Sequence, residues 1–211
     1  MLFPLVVGGG LGLFAAIRSQ SRLGRFVFAV SGLGVSVPLF WLATLCAGVV
    51  GATLHLLPVN GYTPLSAGFG PHLESIVMPV VLIAIPSTAL MVRHVRSSMV
   101  AVLASPYVRT ARAMGIDRRR IHFDLALRNA LGPVITFIPF LVSMLVGELV
   151  VIDVVFVLPG LGSAIIDAVH FRDFAVLQSI VLILALTVVT LSLLADVALT
   201  AIDPRRRKEF A

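Results

Sequence analysis

This 211-residue chain has little charge, a single cysteine, and only one lysine among its sixteen basic residues. Charged residues make up 12% of it, against about 25% in a typical soluble domain. An ordinary soluble fold is therefore excluded. Cys46 stands alone, which rules out an internal disulfide framework and a thiolate metal cluster. His55, His72 and His170 share no ligand spacing and read as interfacial residues, so no metal site is assigned. No G-x-x-x-x-G-K-[ST] segment occurs, so the chain cannot hold ATP in a phosphate loop. We assign no catalytic residue and no cofactor, and do not read the chain as an enzyme. Internal repeats, low-complexity tracts and flexible linkers are also missing.

What the chain has is hydrophobic length. Its residues are 59% hydrophobic and its mean hydropathy is +1.08. Phe26–Leu73 and Phe174–Ala195 carry no formal charge. A bilayer core about 30 Å thick takes about 20 apolar residues as a helix, and backbone amides in lipid must be satisfied internally. The expected architecture is all-α and polytopic, a single transmembrane domain over 1–211 with spans near Leu2–Ile17, Leu33–Leu57, Ser75–Val92, Val134–Ile152 and Phe174–Thr200. Pro38 and Pro86 are expected to kink their helices, and Trp41 to serve in packing.

Charge then orients the spans. Arg18, Arg22 and Arg25 follow the first, eight arginines lie within Arg93–Pro133, and Arg205, Arg206, Arg207 and Lys208 close the chain. The alternate segments hold almost no basic residue. Basic segments stay cytoplasmic, so the C-terminus is expected inside and the excess of positive charge reads as topology rather than nucleic-acid binding. The first apolar run is short and has its basic residues after it, unlike a signal peptide. It reads as the tail of a longer span, so that the functional protein is expected to start upstream with one more span and an external segment.

The 93–133 segment carries chemistry that lipid does not require. Tyr107–Met114 suits a short amphipathic helix with Val108, Ala111 and Met114 on one face. Gly115 fits a helix stop in the left-handed conformation, and Asp117 can cap a second helix. That helix opens with Arg118, Arg119 and Arg120, at the positive end of its own dipole, where cations are unfavourable. These arginines either hold the segment inside against anionic lipid or contact an acidic surface on a partner.

Tyr107-Val-Arg-Thr-Ala-Arg-Ala-Met-Gly115, Leu127-Arg-Asn-Ala-Leu-Gly-Pro133, Phe156-Val-Leu-Pro-Gly-Leu-Gly162 and Asp203-Pro-Arg205 resemble the permease subunits of bacterial ABC importers, in particular the B-type permeases of the dipeptide, oligopeptide and nickel group. Pro38-Leu-Phe-Trp41 and Leu57-Pro-Val-Asn-Gly-Tyr62 add to the likeness, which runs from about Gly12 to Arg206. The resemblance implies a type I importer fold in the bacterial inner membrane. It also implies that the loop carries the EAA motif, docking into a cleft of the ATP-hydrolysing subunit through Arg109, Ala111, Arg112, Gly115, Ile116, Asp117, Arg118 and Arg119. Implied partners are a second, homologous permease, two ATPase subunits and an extracytoplasmic solute-binding protein, besides the lipid bilayer. The turn Pro159-Gly160-Leu-Gly162, followed by a short external helix, would face the binding protein.

The chain departs from the family pattern at several places. Met114 stands where lysine is common, Leu125 where histidine is common, and Asp153 where the acid is usually one methylene longer. Glu148 replaces a small or apolar residue inside a span, where an ionised acid costs about 3 kcal/mol by insertion measures. Glu148 and Asp153 are the candidates for the translocation path. Glu148 has a competing reading, a protonated side chain bonded to a neighbouring helix. The expected function is the permease of an ATP-driven importer for peptides or a related small solute. The alternatives are a secondary transporter or channel using Glu148 and Asp196, or a remnant that does not transport.

Overall fold

The computed structural model describes residues 2–59 and 61–202, the last five of them by backbone alone. The Asp203-Pro-Arg205 motif and the closing basic cluster lie outside the described residues. Among the described residues the regular structure is helical, with no strand. In order come α1 (Pro4–Ile17), α2 (Arg22–Ser36), α3 (Leu39–Thr53), α4 (Phe69–Leu103), α5 (Pro106–Ala113), α6 (Arg118–Val155), α7 (Leu161–His170) and α8 (Phe174–Ile202).

Three of these, α4, α6 and α8, are long and apolar enough to cross a membrane, and the α2–α3 pair makes a fourth if its bent halves are one span. The second expected span is thus corrected. It starts at Arg22 rather than Leu33 and breaks at Val37–Pro38, because a residue before proline is pushed out of the helical region. Pro79 and Pro86 lie inside α4, which nonetheless runs unbroken for 35 residues. The first expected span is a shorter apolar helix of 14 residues, about 21 Å long. The third and fourth spans run beyond their expected limits. α4 continues to Leu103 and α6 begins at Arg118, leaving the stretch between them for α5 and its turns.

The contacts divide into two units, Met1–Gly34 with Ser87–Leu141 and the chain from Val189, and Val35–Pro86 with Val142–Val188. In the first, α1 lies close to α4 because its facing residues are small. A Cβ on Gly8 would meet Met91 Cβ at 2.8 Å, and one on Gly12 would meet the Val92 carbonyl at 2.8 Å. Ala16, one turn further, packs with Met99, Ala126 and Ala130. Such small-residue stripes let helix backbones approach where no water is available to drive association. His94 stacks on Phe137 with ring centroids 4.0 Å apart, and its Nε2 donates to the Pro133 carbonyl at 2.9 Å. The Arg96 guanidinium sits 4.0 Å from the Phe28 ring centre, a cation–π contact that offsets its desolvation.

In the second unit, Ala43 and Ala47 of α3, Met78 and Leu82 of α4 and Ile152 and Phe156 form the core. Trp41, expected in packing, is half exposed.

Candidate functional site

The hairpin between α4 and α6 is built from local rules. Pro106 opens α5 at a position where its missing N–H is not needed. Val108 and Ala111 are 0% and 4% exposed and pack with Ile121, Leu103, Ile116 and Leu125. Ala111 is small where α5 must lie on this cluster. Met114 does not share that face: it is the C-cap of α5 and 68% exposed, which corrects the expected stripe. Six residues of helix turn through about 600°, so Met114 cannot align with Val108. Gly115 follows with φ +77°, the left-handed stop that the sequence called for. Asp117 then caps α6 by accepting a hydrogen bond from the Arg119 amide at 3.0 Å.

The hairpin therefore hides Val108 and Ala111 and leaves Tyr107, Thr110 and Met114 outside. Their spacing of three and four places them on one helical face. Sequence reasoning passed over this trio in favour of the arginines, although Tyr107 and Met114, four before and three after Ala111, adjoin the buried stripe. Arg109, Arg112, Gly115, Ile116 and Arg118 line a cavity beside α5, whereas Arg119 and Asp117 lie at a separate surface depression with Arg120 and Asp124. Arg120 and Asp124 make the one ion pair among the described residues, both well exposed.

His122 also lines the cavity. α6 is 38 residues, about 57 Å of helix against a 30 Å core, so it cannot lie wholly within the membrane, and His122 falls well before the span expected from Val134. The His122 imidazole is held below the usual histidine pKa by burial first, then by Arg112 and Arg118, with Asp117 opposing.

Asp153 and the Pro159–Gly162 turn form one construction within the second unit. The Asp153 side chain is 6% exposed, and its Oδ2 accepts from the Gly162 amide at 2.9 Å. A carboxylate at a helix N-terminus meets both a free donor and the positive end of the dipole. Any side chain at Gly160 would strike the Asp153 carboxylate, and one at Gly162 would strike the Val150 backbone. Val157 holds φ +51°, a conformation that β-branched residues rarely adopt, at the point where the chain leaves α6. The observed partner of Asp153 is thus the turn, and the short external helix expected after it is α7. Glu148, four residues before Ile152 and five before Asp153, has Oε2 buried without a hydrogen-bond partner. The structure does not bring Glu148 and Asp153 into contact with each other through any hydrogen bond.

Long apolar helices, a small-residue α1, a helical hairpin turned by a left-handed glycine and a turn braced by a buried carboxylate describe a multi-pass membrane protein of a recognisable kind. The chain belongs to the family of binding-protein-dependent transport system inner membrane components, which it matches over residues 8–208. It is 34% identical over 207 residues to the probable peptide ABC transporter permease protein y4tP of Sinorhizobium fredii, covering 98% of this chain and 66% of that protein. It is 36% identical over 201 residues to a putative peptide transport system permease protein of Brucella abortus (95% and 64%). With the oligopeptide transport system permease protein AppB of Bacillus subtilis the identity is 32% over 206 residues (97% and 65%). The chain thus spans just under two thirds of the length of these relatives. An inward-facing structure of the MetNI methionine ABC transporter matches 96% of this chain and 88% of its own chain, with TM-score 0.74 and 17% identity. A crystal structure of an amino acid ABC transporter with histidines matches 95% and 87%, with TM-score 0.62 and 18% identity. At such identities the likeness to both is one of fold.

Proposed function

We propose that this chain is the membrane-spanning, path-forming part of an ATP-driven importer for peptides or a related small solute, coupled to separate ATPase subunits. The observation that carries the reading is the α5 hairpin. It is anchored from below by Val108 and Ala111 and turned at Gly115, and it presents Tyr107, Thr110 and Met114 on its exposed face. A rigid, exposed helix on a packed base suits the transmission of force from a partner's cleft. The names of the relatives, which are peptide permeases, support the solute class.

In this reading the basic segments, the hairpin and the C-terminus face the cytoplasm of a bacterium, and α7 with its turn faces the binding protein outside. ATP closes the two ATPase subunits, their clefts carry α5 of this chain and of a second homologous permease, and the spans alternate their access. Glu148 belongs to the path, and its unpaired Oε2, buried in this structure, becomes an acceptor for a solute's ammonium group once the spans move. Asp153 serves by bracing the external turn.

The experiment is reconstitution with the ATPase partners, a second permease and the binding protein in proteoliposomes, using Thr110→Cys to crosslink the hairpin to the ATPase. Crosslinking together with ATP-dependent peptide uptake supports the reading. Uptake driven by a proton gradient without ATP would replace it with the secondary-transporter alternative.

A further inference from the structure

Beside the hairpin, bounded by the ends of α1 and α4, by α5 and by the start of α6, lies an open cavity of about 840 Å³. Its lining is of two kinds. Ile17, Val100 and Leu103 supply apolar surface, whereas Arg109, Arg112 and Arg118 supply positive charge beside the His122 ring, and no aspartate or glutamate lines it. Helix ends with free carbonyls attract cations, and Arg112 answers that attraction by reaching the Leu103 carbonyl at 3.5 Å. That accounts for one of the three arginines. The Arg109 and Arg118 side chains have no hydrogen-bond or ion-pair partner among the described residues, whose one ion pair, Arg120–Asp124, lies outside the cavity. Burial first, then Arg112 and Arg118, oppose protonation of His122, with Asp117 acting the other way.

We propose that this cavity holds the phosphate headgroup of an anionic phospholipid, with its glycerol and first acyl carbons against Ile17, Val100 and Leu103. Inorganic phosphate would use the arginines and waste the apolar wall; an amphiphile uses both. The cavity lies where apolar helices end, the depth at which headgroups sit, and basic pockets between membrane helices take such headgroups. The proposal rests on the topology given above for the leaflet only. It shares with the coupling reading Arg109, Arg112, Gly115, Ile116 and Arg118, which line the cavity, but not Tyr107, Thr110 and Met114, which do not.

The test uses the transporter assembled with its ATPase partners, in micelles and nanodiscs of phosphatidylglycerol or phosphatidylcholine, with bound lipid counted by native mass spectrometry. Phosphatidylglycerol is expected to be retained through purification and phosphatidylcholine to be lost. Each basic residue near anionic lipid contributes about a factor of five, so Arg112→Gln with Arg118→Gln should weaken retention about 25-fold. Arg128→Gln, outside the cavity, should leave it unchanged, and Arg112→Lys with Arg118→Lys should restore most of it. A ¹⁵N-histidine titration supplies a readout independent of expression: the His122 pKa should rise with phosphatidylglycerol and stay put with phosphatidylcholine. Equal retention in the Gln pair and the Arg128 variant overturns the proposal, as does displacement of the lipid by equimolar inorganic phosphate. Loss of the ATPase from the Gln pair with lipid retention intact would assign the cavity to the partner instead. Crosslinking through Thr110→Cys reports the coupling reading separately, so the two can fail independently.

Discussion

At the scale of single residues, one glycine and two acids carry the most specific expectations. Gly115 sits at φ +77° with open space around it. Gly115→Val therefore meets no clash, only the backbone penalty of about 1–2 kcal/mol for a side chain in the left-handed region. Membrane insertion should stay normal while uptake and solute-stimulated ATP hydrolysis fall together; normal uptake by a well-expressed variant would remove the hairpin from coupling. Asp153→Ala leaves the Gly162 amide without its acceptor at a buried site, at a cost of about 1–3 kcal/mol. The measurable result is a lower melting temperature and faster proteolysis after Pro159, with specificity unaltered. A change of solute preference without loss of stability would instead place Asp153 on the path. Glu148→Gln keeps shape and removes charge. If the path reading holds, uptake of peptides with a free amino terminus should drop at least tenfold while N-acetylated peptides are spared. Equal effects on both would favour the hydrogen-bonded alternative.

At the scale of elements, the packing of α1 on α4 is the contact most exposed to test. Gly8, Gly12 and Ala16 recur every four residues, and the α4 backbone approaches so closely that Gly12 has no room for a side chain. Gly12→Leu should destabilise the first unit by about 1–3 kcal/mol, the usual penalty of overpacking, and Gly9→Leu, in open space, should not. Thermal unfolding in detergent separates the two. The helix starts show how acids are placed. Asp117 and Asp173 cap α6 and α8 from within two or three residues, by accepting from the amides of Arg119 and Val176. Asp153 caps α7 from nine residues upstream. The first two are legible in sequence because capping is local, and the third is not, because it depends on the chain doubling back.

At the scale of the whole molecule, α8 shows what the described chain leaves open. Val181, Leu182, Ile183, Leu186, Val189, Leu193 and Leu194 are all more than half exposed. In a bilayer such a surface meets lipid or a neighbouring helix at no hydrophobic cost. Cysteines placed along α8 in a Cys46→Ser background should resist water-soluble thiol reagents, and any that crosslink to a second permease mark the pairing face. Even labelling all round the helix would contradict its place in the membrane.

Composition and hydropathy alone determined that the chain is helical and membrane-bound, since lipid leaves the backbone no other way to satisfy its amides. The spacing of Tyr107–Met114, Gly115 and Asp117 likewise determined a helix, a left-handed stop and a cap, because each depends on neighbours within a turn or two. Only the tertiary structure decided what lies opposite what. It ended the buried stripe of α5 at Ala111 and exposed Met114, and gave the Asp153 carboxylate the Gly162 amide as its partner. It also gathered Arg109, Arg112, Arg118 and His122 around one cavity with the ends of α1 and α4. Most of those outcomes rest on contacts between residues nine to about a hundred positions apart, and periodicity carries no information about which surfaces meet across that distance.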